Sequence, residues 1–119
     1  MTEHALAVVK DLFFGVRIRE TARLVRVPID FARSPEELER HLLDRHPDLV
    51  ILDLTQPGWD YGALFAVLER SEPRPAILAF TTHALARTTQ PYHGRCDRVV
   101  TKEAFTQELP DILTHGVGA

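Results

Sequence analysis

Residues 48–54, Asp-Leu-Val-Ile-Leu-Asp-Leu, decide the fold, and residues 55–60, Thr-Gln-Pro-Gly-Trp-Asp, follow them directly. A short apolar run bounded by charge and by Pro-Gly is typical of a strand buried on both faces, as in a parallel sheet. Asp53 stands at the carboxyl end of this strand, where a buried carboxylate costs free energy unless donors, a cation or a solvated cleft compensate it. Because ligands of open α/β sheets bind beyond the carboxyl ends of the strands, Asp53 is a candidate functional residue. The alternative is that it only turns the chain or caps the next helix.

Size and composition fit one globular domain. The chain has 119 residues, of which 45% are hydrophobic and 26% charged, with a net charge of −3. This length suits a single hydrophobic core. We therefore expect one domain over residues 1–115 and a flexible tail over residues 116–119.

Several classes of function are disfavoured by the same composition. The acidic balance and the lack of a basic recognition helix argue against binding to nucleic acid. No apolar run approaches the roughly 20 residues of a membrane helix, and the first residues do not resemble a signal peptide. The one cysteine, Cys96, cannot form an internal disulfide, and no Cys/His spacing resembles a zinc site. We expect a cytoplasmic protein that does not bind membranes.

Strand and helix patterns alternate along the chain. Buried runs predict strands at 5–10, 27–32, 48–54, 75–80 and 97–101. Apolar spacings of three and four predict helices at 13–25, 35–45, 61–71 and 103–114. Residues 83–95 predict a short helix and a mobile segment, because Pro91 stops or distorts a helix there. This alternation predicts a parallel sheet with helices on both faces.

Chemically active side chains follow four of the predicted strands. They are Lys10, Asp11, Asp53, Thr81 and Lys102. The carboxyl ends of the strands converge on one crevice in such a sheet, so these groups should share a pocket. The pocket suits a phosphoryl group: Asp53 could attack phosphorus, Thr81 could donate a hydrogen bond to a phosphoryl oxygen, and Lys102 could pair with its charge.

This arrangement resembles the receiver domain of two-component response regulators over essentially the whole chain. The resemblance is carried by residues 47–54, by Pro57 and Asp60 in the following loop, by Phe80-Thr81 and by residues 99–102. It implies a flavodoxin-like (βα)5 sandwich with a five-stranded parallel sheet in the order 2-1-3-4-5. It also implies signal transduction through protein–protein contacts in a phosphorelay, with no enzymatic activity and a histidine kinase or another signalling protein as partner.

The resemblance also assigns roles to residues of the crevice. Asp53 looks like the phosphoacceptor, and Thr81 and Lys102 look like the residues that bind the phosphoryl group. Asp11, Asp53 and the carbonyl of Thr55 look like the ligands of a Mg²⁺ ion.

Lys10 departs from the family pattern, which usually has an acid at this position. Replacing an acid by a cation removes attraction for Mg²⁺ and adds repulsion, on the order of 4 kcal/mol for a like charge about 4 Å away. We therefore expect Mg²⁺ to bind weakly. Two interpretations of Lys10 stay open. It takes the place of the metal and bridges to Asp53, or it is a surface residue whose stem packs on the sheet rim.

The switching apparatus of the family is also altered. Val99 occupies the position where many receivers carry a mobile aromatic residue, and Glu103 follows Lys102 in place of the usual proline. An aromatic rotamer switch is therefore not available in its usual form. Trp59 is either a binding anchor or a cover for the crevice mouth, and Tyr92-His93 is either a contact patch or loop filler.

Three functions remain open from the sequence. Asp53 accepts phosphate in a working receiver, or the domain is a pseudo-receiver that binds partners without phosphorylation. The alternative from another class is a small flavodoxin-like nucleotide- or flavin-binding protein or enzyme, but residues 10–15 lack the glycines of a phosphate cradle. The sequence leaves open whether the chain forms a homodimer.

Overall fold

The computed structural model describes residues 2–118. The strands are Ala5–Val8 (β1), Ile29–Ala32 (β2), Leu49–Asp53 (β3), Ala76–Thr81 (β4) and Arg98–Thr101 (β5). The helices are Leu12–Leu24 (α1), Pro35–Arg45 (α2), Tyr61–Glu69 (α3), Ala86–His93 (α4) and Lys102–His115 (α5). Strands and helices alternate throughout, as the sequence predicts.

The five strands form one parallel sheet in the order β2-β1-β3-β4-β5, which confirms the predicted topology. The register aligns Val8 with Leu52 and Asp53 with Phe80. Thr81 is likewise opposite Thr101, the last residue of β5. The carboxyl ends of β1, β3, β4 and β5 therefore lie side by side at one edge of the sheet.

Successive residues of each strand face two separate cores. On β1, Ala5 and Ala7 point to the core beneath α1 and α5, whereas Leu6 and Val8 point to the core that contains α2 and α3. All four side chains have no accessible surface. A strand that is apolar on both faces is what a parallel sheet covered by helices requires.

Side-chain caps begin most of the helices. The Ser34 hydroxyl accepts a hydrogen bond from Glu37 N, as the sequence predicts for the start of α2. The Asp60 carboxylate accepts from Ala63 N at the start of α3. The Thr101 hydroxyl caps α5 and thereby fixes the direction in which the chain leaves β5.

Two helices contain an internal proline. Pro91 was expected to stop or distort the fourth helix, but α4 continues through it to His93. Pro110 lies inside α5, beyond its first turn. Each proline removes one helical donor, so the Arg87 and Thr106 carbonyls lack their usual partner four residues on.

Residues 116–119 were expected to be flexible, and the structure describes three of these four residues. Residues 116–118 follow α5, and Val117 packs against the core beneath α1 and α5. The Val117 carbonyl accepts a hydrogen bond from Arg98 Nη1 at 3.2 Å. Ala119 lies outside the described residues. Within residues 2–118 no helix is long and apolar enough to cross a membrane.

Candidate functional site

Asp53 is the last residue of β3 and only 3% exposed. Its Oδ1 atom accepts hydrogen bonds from Thr55 N at 2.7 Å and from Thr55 Oγ1 at 2.6 Å. Its Oδ2 atom accepts no hydrogen bond from any residue between 2 and 118, and it is not among their buried unpaired polar atoms. The carboxylate therefore has one oxygen held by the following loop and one oxygen open to the crevice.

Asp11 follows β1, the strand paired with β3, so it lies at the same end of the sheet as Asp53. Its Oδ1 atom accepts from Phe14 N at 3.0 Å and caps α1. Its Oδ2 atom lies 4.0 Å from Lys102 Nζ. The capping role was not predicted, although an Asp three residues before a buried aromatic residue of a helix is a recognisable signal for it.

Lys102 begins α5 directly after β5. Its ammonium lies 4.5 Å from the centroid of the Phe14 ring and 6.0 Å from that of Phe80. The side chain is 37% exposed, so its charge remains in contact with solvent. The ammonium thus lies against aromatic rings, and its exposed part is available to a second anion besides Asp11.

Thr81 is buried at the end of β4, with 4% of its surface exposed. Its hydroxyl lies 3.1 Å from that of Thr89 on α4, which lies 2.9 Å from His93 Nε2. Thr89 was not predicted to matter. The signal was hidden because the residues around Pro91 gave no clear helical pattern.

The structure places Lys10 over Trp59, with its ammonium 5.5 Å from the centroid of the indole ring. No ion pair joins Lys10 to Asp53 anywhere in residues 2–118. The bridging interpretation of Lys10 requires such a pair, whereas the surface interpretation does not. Trp59 is half-buried and packs against the core that contains α2 and α3, and its Nε1 atom is buried without a hydrogen-bond partner among the described residues.

Tyr61 forms hydrogen bonds at the carboxyl end of β3 that the sequence did not reveal. Its hydroxyl donates to the Asp53 carbonyl at 2.7 Å and accepts from Gln56 N at 3.1 Å. Burial raises the pKa of Tyr61, with a hydrogen bond at Gln56 acting in the opposite direction. Its ring lies 5.2 Å from that of Tyr92, which stacks on Phe65 at 5.7 Å. Tyr61 therefore links the loop after Asp53 to α4.

A groove of about 530 Å³ opens from the Asp11–Lys102 pair between α1 and α5. Phe13 stands at this groove and is 89% exposed. The neighbouring Leu12 and Val16 are exposed as well. The crevice at the strand ends is thus bordered on the α1 side by unusually exposed apolar side chains.

The donors at the crevice suit a hydrated Mg²⁺ ion rather than a fully protein-bound one. No group of three or more His, Cys, Asp or Glu side chains in the described part of the chain is placed to share a metal ion. Asp11 and Asp53 contribute carboxylates, and the Thr55 carbonyl follows Asp53 by two residues. Mg²⁺ in proteins is often bound by one or two carboxylates and several waters, so this donor set fits it.

Comparison with solved structures shows what the chain is similar to in shape. A response-regulator receiver domain from Bermanella marisrubri superposes with a TM-score of 0.81 at 19% identity, over 98% of this chain and 99% of that one. The chemotaxis response regulator CheY4 of Vibrio cholerae gives 0.78 at 15% identity, over 98% and 100%. The receiver domain of the sensor histidine kinase PA1611 from Pseudomonas aeruginosa gives 0.77 at 19% identity over both whole chains, with a magnesium ion in its active-site cleft.

The chain has the receiver-domain fold. No protein-family model and no curated protein sequence matches it. Receiver-like modules of this shape also occur inside longer proteins, since the chain superposes on 28% of NtrX from Brucella abortus with a TM-score of 0.79 at 17% identity. The receiver fold is thus retained although few of the side chains are shared.

Three of the residues predicted for the crevice stand at or directly after strand ends. Asp53 and Thr81 stand at the ends of β3 and β4, and Lys102 follows β5. Val99 lies on β5, half-buried against the same core as Tyr92. The aromatic side chains near the crevice come from α1, α3, α4, β4 and the loop after β3 rather than from β5.

Proposed function

We propose that the chain is a receiver-like signalling domain in which Asp53 accepts a phosphoryl group from a histidine kinase or another phosphohistidine protein. The supporting observation is the state of the Asp53 carboxylate, with Oδ1 held by Thr55 and Oδ2 open to the crevice. We further propose that the domain acts through protein contacts, has no enzymatic activity of its own and is located in the cytoplasm.

In the proposed step, an Oδ2 electron pair forms a bond to phosphorus and the phosphorus–nitrogen bond of the phosphohistidine breaks. The imidazole nitrogen leaves with the electron pair of the broken phosphorus–nitrogen bond and takes up a proton from solvent. Lys102 pairs with the charge on the transferred group, and Thr81 donates a hydrogen bond to one of its oxygens. The buried position of Asp53 keeps the number of competing water molecules low.

Mg²⁺ fits this function as a weakly held cofactor. Asp11, Asp53 and the Thr55 carbonyl would hold it, and a bound ion would offset the negative charge of the phosphoryl oxygens. Lys10 occupies the position of a third acid, so we expect weaker binding than three carboxylates would give. Because Lys10 is directed to Trp59 and not to Asp53, it leaves the Asp53 Oδ2 atom accessible.

A phosphorylation-independent docking module is the second candidate. It is favoured by the small number of carboxylates in the crevice. Asp11 is already close to Lys102, and within residues 2–118 no third carboxylate joins Asp11 and Asp53. A domain of this kind would bind partners in one fixed state.

Intact-mass measurement after incubation with acetyl phosphate and Mg²⁺ distinguishes the two candidates. We expect one phosphoryl adduct on the wild-type chain and none on Asp53→Asn. The matched control is Asp60→Asn, which changes an exposed aspartate of the same loop and should still be labelled. No adduct on wild type, with an adduct on Lys10→Asp, would instead support the docking module.

A further inference from the structure

The Thr89 hydroxyl has three hydrogen-bond contacts on a side chain that is 4% exposed. It lies 3.1 Å from Thr81 Oγ1, 2.9 Å from His93 Nε2 and 3.3 Å from the Ala86 carbonyl. Thr81, Thr89 and His93 therefore form one chain of hydrogen bonds, here called the Thr-Thr-His chain. It runs from the end of β4 to the last residue of α4, where His93 is half-buried.

The number of hydrogens limits what this chain can do at one time. A threonine hydroxyl has one hydrogen to donate, and a phosphoryl oxygen offers only lone pairs. Thr81 must therefore donate its hydrogen to a phosphoryl oxygen on Asp53, and it can then no longer donate that hydrogen to Thr89. Thr89 can keep the contact only by donating to Thr81. Thr89 then turns its one hydrogen away from the Ala86 carbonyl, which can only accept, and its bond to His93 requires a hydrogen on Nε2.

The position of α4 depends on few other attachments. It is a helix of eight residues with Pro91 inside it, and helices this short are marginal without tertiary contacts. Tyr92 holds the helix through ring contacts with Tyr61 and Phe65. Val99 on β5 has no polar side-chain atom that could take over the role of Thr89.

We infer that Thr89 and His93 are positioning residues for the Thr81 hydroxyl, which they hold on α4 until a phosphoryl group occupies Asp53. His93 then carries the change to the surface of α4. This inference rests on the proposed function of Asp53. In this protein the Thr-Thr-His chain thereby takes the role that an aromatic residue at position 99 would otherwise have.

The test uses beryllium fluoride, a phosphoryl mimic that a carboxylate oxygen coordinates reversibly without phosphoryl transfer, together with excess Mg²⁺. NMR of the Asp53 and Thr55 amides gives its apparent Kd, and the ring nitrogens of His93 report the hydrogen bond at Nε2. In wild type we expect the His93 ring signals to move on saturation while those of the exposed His83 stay in place.

Three variants of α4 make the test specific. Thr89→Val removes the hydroxyl at nearly constant shape, so beryllium fluoride should bind about fivefold tighter, the factor of one neutral hydrogen bond. The His93 response should vanish in the same variant. Thr89→Ser retains a hydroxyl and should restore both properties. Thr88→Val, on the exposed side of the same helix, should behave as wild type.

The outcomes separate this inference from the proposed function. If wild type binds beryllium fluoride at Asp53 but His93 does not respond, or Thr89→Val binds no more tightly than Thr88→Val, the inference is wrong and the proposed function stands. If wild type shows no binding that Asp53→Asn abolishes, both are wrong. Thermal unfolding of each variant verifies that the comparison is made between folded proteins.

Discussion

The Lys10 ammonium lies over the Trp59 indole ring, 5.5 Å from its centroid, at the mouth of the crevice that contains Asp53. A cation on an exposed aromatic face is held by roughly 0.5–1 kcal/mol. This is enough to favour one direction for a flexible lysine and too little to fix it. Lys10 therefore acts on the crevice mainly through its charge.

Replacing Lys10 should change the affinity for Mg²⁺. We expect Lys10→Asp to bind Mg²⁺ at least tenfold more tightly than wild type, because it removes a cation and adds a carboxylate ligand. Lys10→Ala removes only the cation and should give a smaller gain. Isothermal titration at near-physiological salt measures both. Equal affinities in all three proteins would show that Lys10 does not affect the site.

The capping role of Asp11 and its proposed role at Mg²⁺ can be separated by two substitutions. Asn is as good a helix cap as Asp, so Asp11→Asn should leave the free energy of unfolding nearly unchanged while it weakens Mg²⁺ binding. Asp11→Ala should weaken Mg²⁺ binding as well and lower the free energy of unfolding by about 1 kcal/mol. Urea unfolding and Mg²⁺ titration of the pair test this. A large loss of stability in Asp11→Asn would contradict the capping assignment.

Tyr61 should contribute to stability through its hydroxyl. Tyr61→Phe leaves the Asp53 carbonyl without this donor and Gln56 N without its acceptor, so we expect a loss of about 1–2 kcal/mol in urea unfolding. Tyr92→Phe is the matched control, because Tyr92 contacts its neighbours through its ring. A similar loss in both variants would mean that ring packing, not the hydroxyl, is responsible.

The raised pKa of Tyr61 predicts an alkaline loss of stability with a definite sign. Burial keeps the phenol protonated in the folded chain, whereas the unfolded chain ionises near its ordinary value of about 10. The stabilisation is complete below that pH and declines as the pH rises above it. We expect the decline in unfolding free energy above pH 10 to be shallower in Tyr61→Phe than in wild type.

The Cys96 thiol should react slowly with disulfide reagents. Burial, with a smaller effect of Asp97, raises the pKa of its thiol to about 11 from the usual 9.0. At pH 8 the thiolate fraction is then about a hundredfold lower than in an unperturbed cysteine, since each pKa unit is a factor of ten. Reaction with an aromatic disulfide reagent should be slower by about this factor in the folded chain than in urea. Equal rates would contradict the environment assigned to Cys96.

The positions of the candidate site side chains were predictable, whereas their contacts were not. Asp53, Thr81 and Lys102 follow buried runs, and parallel pairing alone brings such positions to one edge. The partner of Thr81 could not be found in this way, because Thr89 lies on a helix that Pro91 made ambiguous. The segment remains helical because Pro91 is exposed and the carbonyl that loses its donor belongs to the exposed Arg87.

Element ends were predicted to within about two residues for most strands. The first strand was expected to reach residue 10, but its ladder ends where Val8 pairs with Ala32 and Leu52. Residues 9–11 therefore leave the sheet before α1 begins, which lets Lys10 turn toward Trp59. Hydrophobicity alone could not show this, since Val9 is buried beyond the ladder.

The hydrogen bonds from Thr55 to one oxygen of Asp53 make the two oxygens of this carboxylate unequal before any partner binds. An electrophile that approaches the strand end meets one saturated oxygen and one with its lone pairs unused. Rotation of the carboxylate would break two short hydrogen bonds, so its orientation is settled when the chain folds. Any reagent that modifies Asp53 is therefore expected to do so from a single direction.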